Sequence, residues 1–245
     1  MNELNKSISD ITTIDNRYRL LIINYIFKFF KSTTVLLGFS FAFIHLAFYT
    51  PHFYPARLGE FNEQKLASII FLVGFTFLIF FILPAIAGKY ILQEKLKNLG
   101  LAFPEKKLKA LLLTLAALLI LIPLIVLLTK QPEFQSYYSL KQPKLIEFAF
   151  INIALFPFYY FSEEFFFRGF LFLGLWNKIR WHSFWVTDLI FAYAHLGKPG
   201  FEILLSMFAS VVFNILTLNT KSIYPAMITH WTMGTTMLFL VNINH

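Results

Sequence analysis

The stretch "YYFSEEFFFRGF", residues 159–170, places two carboxylates and a guanidinium among aromatic residues. Glu163, Glu164 and Arg168 are joined by three other polar elements further along: His195 in "FAYAHLGKPG", Asn214 in "VVFNIL" and His230 in "YPAMITHWTMG". All of them fall in apolar sequence. An ionisable group inside a membrane costs about 2.5–3.5 kcal/mol even on the lenient insertion scale, so each is a functional candidate by default. On a helix, Glu164 and Arg168 are four residues apart and share a face, where they can pair. Glu163 lies about 100° away around the axis. The two glutamates therefore suggest two roles. Glu164 is held ionised by Arg168, and Glu163 is free to face a cavity. There, burial disfavours its charge and the nearby cation favours it, so it can take a proton from water.

One carboxylate and two imidazoles are the ingredients of a water-activating site. Glu163, His195 and His230 can bind a divalent metal such as zinc with one position open. They can equally work without metal, with Glu163 as base and a histidine donating to a developing oxyanion. The residue types leave both open. Asn214 reads most simply as a hydrogen-bonding group between helices. His45, His52, His182 and His245 read as interfacial residues. Lys198 and Pro199, just after His195, read as an interfacial turn, with a part in a substrate gate as the sharper alternative.

The surroundings explain how such groups are held. Of 245 residues 58% are hydrophobic, 32 are Phe and only 14% are charged. Mean hydropathy is +0.65. The expected fold class is all-α, a polytopic bundle of seven or eight transmembrane helices. Apolar runs fall at 33–50, 66–87, 109–129, 148–175, 182–196, 201–219 and 223–242. The run 148–175 is too long for one upright helix and contains Pro157, so it reads as a tilted helix, a broken one or two segments. Residues 1–32 are expected to be a retained cytoplasmic lead-in rather than a cleaved signal. Residues 33–245 form one membrane domain, divided into N-terminal spans, 33–143, and a catalytic-type region, 144–242.

Net charge is +8. In this composition that reflects loops rather than nucleic-acid binding. Lys and Arg are dense before the first span and again at Lys89–Lys109, and sparse between, which places the N-terminus in the cytoplasm. Cys is absent, which excludes disulfides, thiolate metal sites and cysteine nucleophiles.

The motifs are similar to those of the CPBP (CAAX protease and bacteriocin-processing, also ABI) intramembrane proteases. "EEFFFR" resembles the family's EExxxR, "FAYAH" its FxxxH, and "TKSIYPAMITHWTMG" its third region. The order and spacing match over roughly residues 145–242. The resemblance implies an integral membrane endopeptidase of the bacterial inner membrane, acting on a lipidated, hydrophobic or membrane-embedded peptide. It puts Glu163 at the water-activating position, Glu164 and Arg168 at the supporting pair, and His195 and His230 at the other catalytic positions. It allows a metal-dependent or a glutamate-dependent mechanism. One position departs. Four residues after His230 many relatives have Asn, and this chain has Gly234. Thr232, Thr235 or Asn214 are the expected substitutes for the missing amide. Failing those, a non-catalytic or immunity role gains weight; a proton-coupled transporter is the third reading.

Overall fold

The computed structural model describes residues 18–26, 32–33, 36–45, 66–139 and 145–242. Among these residues the regular structure is entirely helical, as the composition requires. The rods are α1 (66–91), α2 (Lys107–Leu128), a short α3 (Pro132–Tyr138), α4 (Leu145–Ile179), α5 (His182–Ala194), α6 (Gly200–Thr220) and α7 (Tyr224–Asn242). Among the described residues, four helices are long and apolar enough to cross a membrane: Ser68–Ile91, Lys107–Leu128, Leu145–Ile179 and Gly200–Thr220. The expected spans at 182–196 and 223–242 are also helices. The first is only 13 residues long, and the second is diluted by Thr229, His230 and three further threonines. The run at 33–50 and the lead-in before it lie partly outside the described residues.

The helix α2 shows how the bundle is assembled. At 1.5 Å per residue its 22 residues reach about 33 Å, enough for the hydrocarbon layer. Its buried residues are Ala110, Thr114, Ala117, Leu121 and Ile125, one face at helical spacing. Leu108, Leu111, Leu115 and Leu119 point outward and are exposed. The small residues face inward and the large apolar ones outward, as expected when lipid rather than water surrounds the rod. That inward face packs on α6 and α7. Ala117, Leu121 and Ile125 meet Ala209, Phe213, Leu216, Ala226 and Met233 in one cluster. On the other side of α4, α1 and α5 join a second cluster built from Phe80, Phe166, Phe167, Phe170 and Phe191.

The central helix is α4. The long run at 148–175 is one continuous helix, neither broken nor doubled. Two wide π turns, at Ile151–Leu155 and Phe165–Leu173, take up its length. The first stands directly before Pro157, whose ring clashes with a regular helix and which lacks an N–H to donate. The second follows Glu164 immediately, and eight of its nine residues are buried. A helix apolar and buried all round lies at the centre of a bundle. Irregular π segments of this kind are frequent at functional sites.

Candidate functional site

The α-helical part of α4, Phe156–Glu164, ends on the two glutamates. Glu164 is fully buried. One of its oxygens, Oε2, accepts from Arg168 Nε at 3.0 Å. The other, Oε1, accepts from His230 Nδ1 at 2.7 Å. The pairing of Glu164 with Arg168 is the one their spacing implies, and His230 on α7 is a further partner. Glu163 has turned away. It lines a cavity of about 1170 Å³ together with His195, His230 and Gly234. Its Oε2 lies 3.9 Å from His230 Nδ1. Tyr159, one turn before it on the same helix, is also on the cavity wall.

His195 follows the last residue of α5. Its Nδ1 lies 2.8 Å from the Phe191 carbonyl oxygen, so Nδ1 carries the proton and Nε2 is the lone-pair nitrogen. The chain must then turn sharply back into α6. Gly197, at φ 90°, makes that turn in a conformation side-chain-bearing residues rarely adopt. Lys198 and Pro199 in the same turn also line the cavity. Lys198 Nζ donates to Glu202 Oε1 at 2.9 Å, and the Tyr138 hydroxyl donates to the same carboxylate at 2.6–2.7 Å. Burial alone would lower the Lys198 value, but the Glu202 carboxylate outweighs it and raises it well above the ordinary lysine range. Lys198 therefore stays charged, tied to α6 and α3.

Behind Glu164 runs a second chain of polar contacts. Arg168 is fully buried. Its Nη1 donates to Ser210 Oγ at 2.9 Å and to Asn214 Oδ1 at 3.2 Å. Both of those residues donate onward to Asp188 Oδ1, at 2.6 Å and 3.0 Å. Nη2 has no hydrogen-bond partner among the described residues. The guanidinium instead lies over Phe191, 4.6 Å from its centroid, and Phe213, at 5.3 Å. Such cation–π contacts replace part of the lost hydration. Two carboxylates thus flank one arginine, directly at Glu164 and through two hydrogen-bonding residues at Asp188.

Glu163, His195 and His230 are therefore brought to one cavity, while Glu164, Arg168 and Asn214 lie in the packed network behind it. Asp188, Ser210, Tyr138 and Glu202 were not among the sequence candidates. Asp188 carried a usable signal, since it is an ionisable residue inside the apolar run 182–196. Asn214 does not face the cavity, because its amide is committed to Arg168 and Asp188.

Glu163, His195 and His230 do not converge as a metal centre. Among the described residues, no group of three or more His, Asp or Glu side chains is gathered to hold an ion. His230 Nδ1 is turned to Glu164. The residues as placed do not fit a metal.

Residues 145–236 match the family model of Rce1-like proteins, the type II CAAX prenyl endopeptidases. No curated protein and no solved structure matches the chain. The Rce1-like region begins with α4 and ends in α7, so it contains both sides of the site and the cavity between α4, α6 and α7. It bears out the resemblance carried by the three motifs. At family level it supports a CAAX-type endopeptidase, and the apolar helices make the protein an integral membrane one.

Proposed function

We propose that the chain is an intramembrane endopeptidase in which Glu163 activates the attacking water. The observation that carries this is the division of the two glutamates: Glu164 is saturated by Arg168 and His230, whereas Glu163 lines a large cavity with both histidines. A water between Glu163 and the lone-pair nitrogen of His195 gives up a proton to Glu163. The resulting hydroxide attacks the scissile carbonyl carbon, and the carbonyl oxygen takes the negative charge. Glu163 then returns the proton to the leaving nitrogen as the C–N bond breaks, releasing a carboxylate and an amine. His230, anchored through Nδ1 to the Glu164 carboxylate, stands on the cavity wall beside the developing oxyanion.

The cavity volume supports a peptide substrate. Small-molecule sites run to roughly 300–1,000 Å³, and about 1170 Å³ accepts several residues. Its wall carries Phe134, Phe156, Phe191, Phe213, Met233 and Met237, which suits a lipidated or hydrophobic segment. The gathering of the ionisable groups at one cavity favours hydrolysis over a proton relay, which needs them strung along a path.

The test uses detergent-purified protein and quenched fluorogenic peptides, with and without a farnesylated CAAX terminus. Cleavage by the wild type that is lost in Glu163→Ala and survives a chelator is the expected result. Loss to chelator alone would move the mechanism to a metal. Cleavage retained by Glu163→Ala would refute the assignment.

A further inference from the structure

Around Glu163 and His230 the side chains are mostly acceptors, and the cation on the cavity wall, Lys198, is tied to Glu202. Glu163 and Glu164 accept, and the Nδ1 protons of His195 and His230 are directed at Phe191 and Glu164. A tetrahedral oxyanion needs donors held on the cavity wall. Of the candidates raised by the sequence, Thr232 donates to the Ile228 carbonyl at 2.8 Å, and Asn214 is engaged in the network. Neither of these lines the cavity, and nor does Thr235.

Tyr160 does line it. It sits three residues before Glu163 on α4, one turn away on the same side of the helix. Its ring lies 4.6 Å from that of His230. Its hydroxyl occupies the space over Gly234: a Cβ at 234 would fall on the Tyr160 oxygen and lie 2.5 Å from its Cζ. Gly234 is itself one turn beyond His230, on the same side of α7. The missing side chain at 234 is therefore not an empty place. It is the room into which a phenol from the facing helix reaches.

We propose that Tyr160 is a catalytic residue whose O–H donates to the oxyanion beside His230, and that Gly234 is glycine because that hydroxyl needs the space. The proposal rests on the reading of Glu163 given above. A phenol supplies a neutral donor without drawing on the histidine protons. An amide introduced at 234 would meet Tyr160 first.

The experiment compares full-length wild type with Tyr160→Phe, Gly234→Ala, Tyr160→Ala, the Tyr160→Ala/Gly234→Ala and Tyr160→Ala/Gly234→Asn pairs, and Glu163→Gln. Each is assayed for kcat and KM on the farnesylated CAAX peptide and for thermal melting. Tyr160→Phe is expected to lose about 10²–10³-fold in kcat, the usual effect of one oxyanion donor, with KM and melting little changed. Gly234→Ala should lower the melting temperature alone but not in the Tyr160→Ala background. Gly234→Asn should recover kcat only where Tyr160 has been removed. Wild-type kcat in Tyr160→Phe, alongside an inactive Glu163→Gln, would overturn the proposal and leave the Glu163 reading standing. Activity in Glu163→Gln would instead overturn that reading. The melting comparison needs no turnover, and strictly additive effects at 160 and 234 would overturn the proposed contact by themselves.

Discussion

Glu163 and Glu164 are neighbours in the chain and belong to two different regions. Glu163 faces the cavity, with Tyr159, His195 and His230 around it. Glu164 faces a dry interior, with Arg168, Ser210, Asn214 and Asp188 extending behind. One helix divides the two, and a rotation of about 100° separates the glutamates. On the packed side every charge is matched, and removal of one partner leaves another stranded. On the cavity side the carboxylate retains the freedom to gain and lose a proton. The difference shows that the expense of charge in a membrane is met in two ways, by pairing or by access to a cavity. A protein that does chemistry there needs both.

That contrast can be broken from either side. The largest effect on activity is expected at the cavity. His195→Ala should lower kcat by about 10²–10⁴-fold, the range of general acid–base assistance, with little change in melting, because its Nδ1 bond is only to its own helix. Next come the buried charges. Arg168→Met should cost about 3–5 kcal/mol of stability, since it strands Glu164 without its cation. Adding Glu164→Leu should recover much of that stability in denaturation measurements without recovering activity, because His230 then has no carboxylate. A smaller loss is expected for Asp188→Leu, about 1–3 kcal/mol, from leaving Ser210 and Asn214 without their acceptor. The smallest is Tyr138→Phe, about 1 kcal/mol, which removes one donor from Glu202 and should leave kcat unchanged.

Some of this was legible in the sequence and some was not, for definite reasons. The pairing of Glu164 with Arg168 follows from a four-residue spacing, and the divergence of Glu163 from helix geometry. The all-helical membrane fold follows from composition. The meeting of Glu163, His195 and His230 did not, because it depends on depth and tilt. Two π turns interrupt α4 on either side of Glu163, and nothing in the apolar run marks them except Pro157. The packing face of α2 was hidden from hydrophobic periodicity, since both faces are apolar; the small residues Ala110, Thr114 and Ala117 were the readable sign. Asp188 was readable by the rule that flagged the other charges. Tyr160 was not, because one tyrosine in "FYYF" looks like packing until its helix meets Gly234.

The most direct measurement compares Glu163→Gln with Glu164→Gln, each scored for single-turnover peptide cleavage and for melting in the same detergent. The account expects Glu163→Gln to fold as the wild type does and to lose cleavage. It expects Glu164→Gln to melt at a clearly lower temperature, because Arg168 and His230 both lose their negative partner. Cleavage retained by Glu163→Gln, or the same melting loss in both variants, would contradict it.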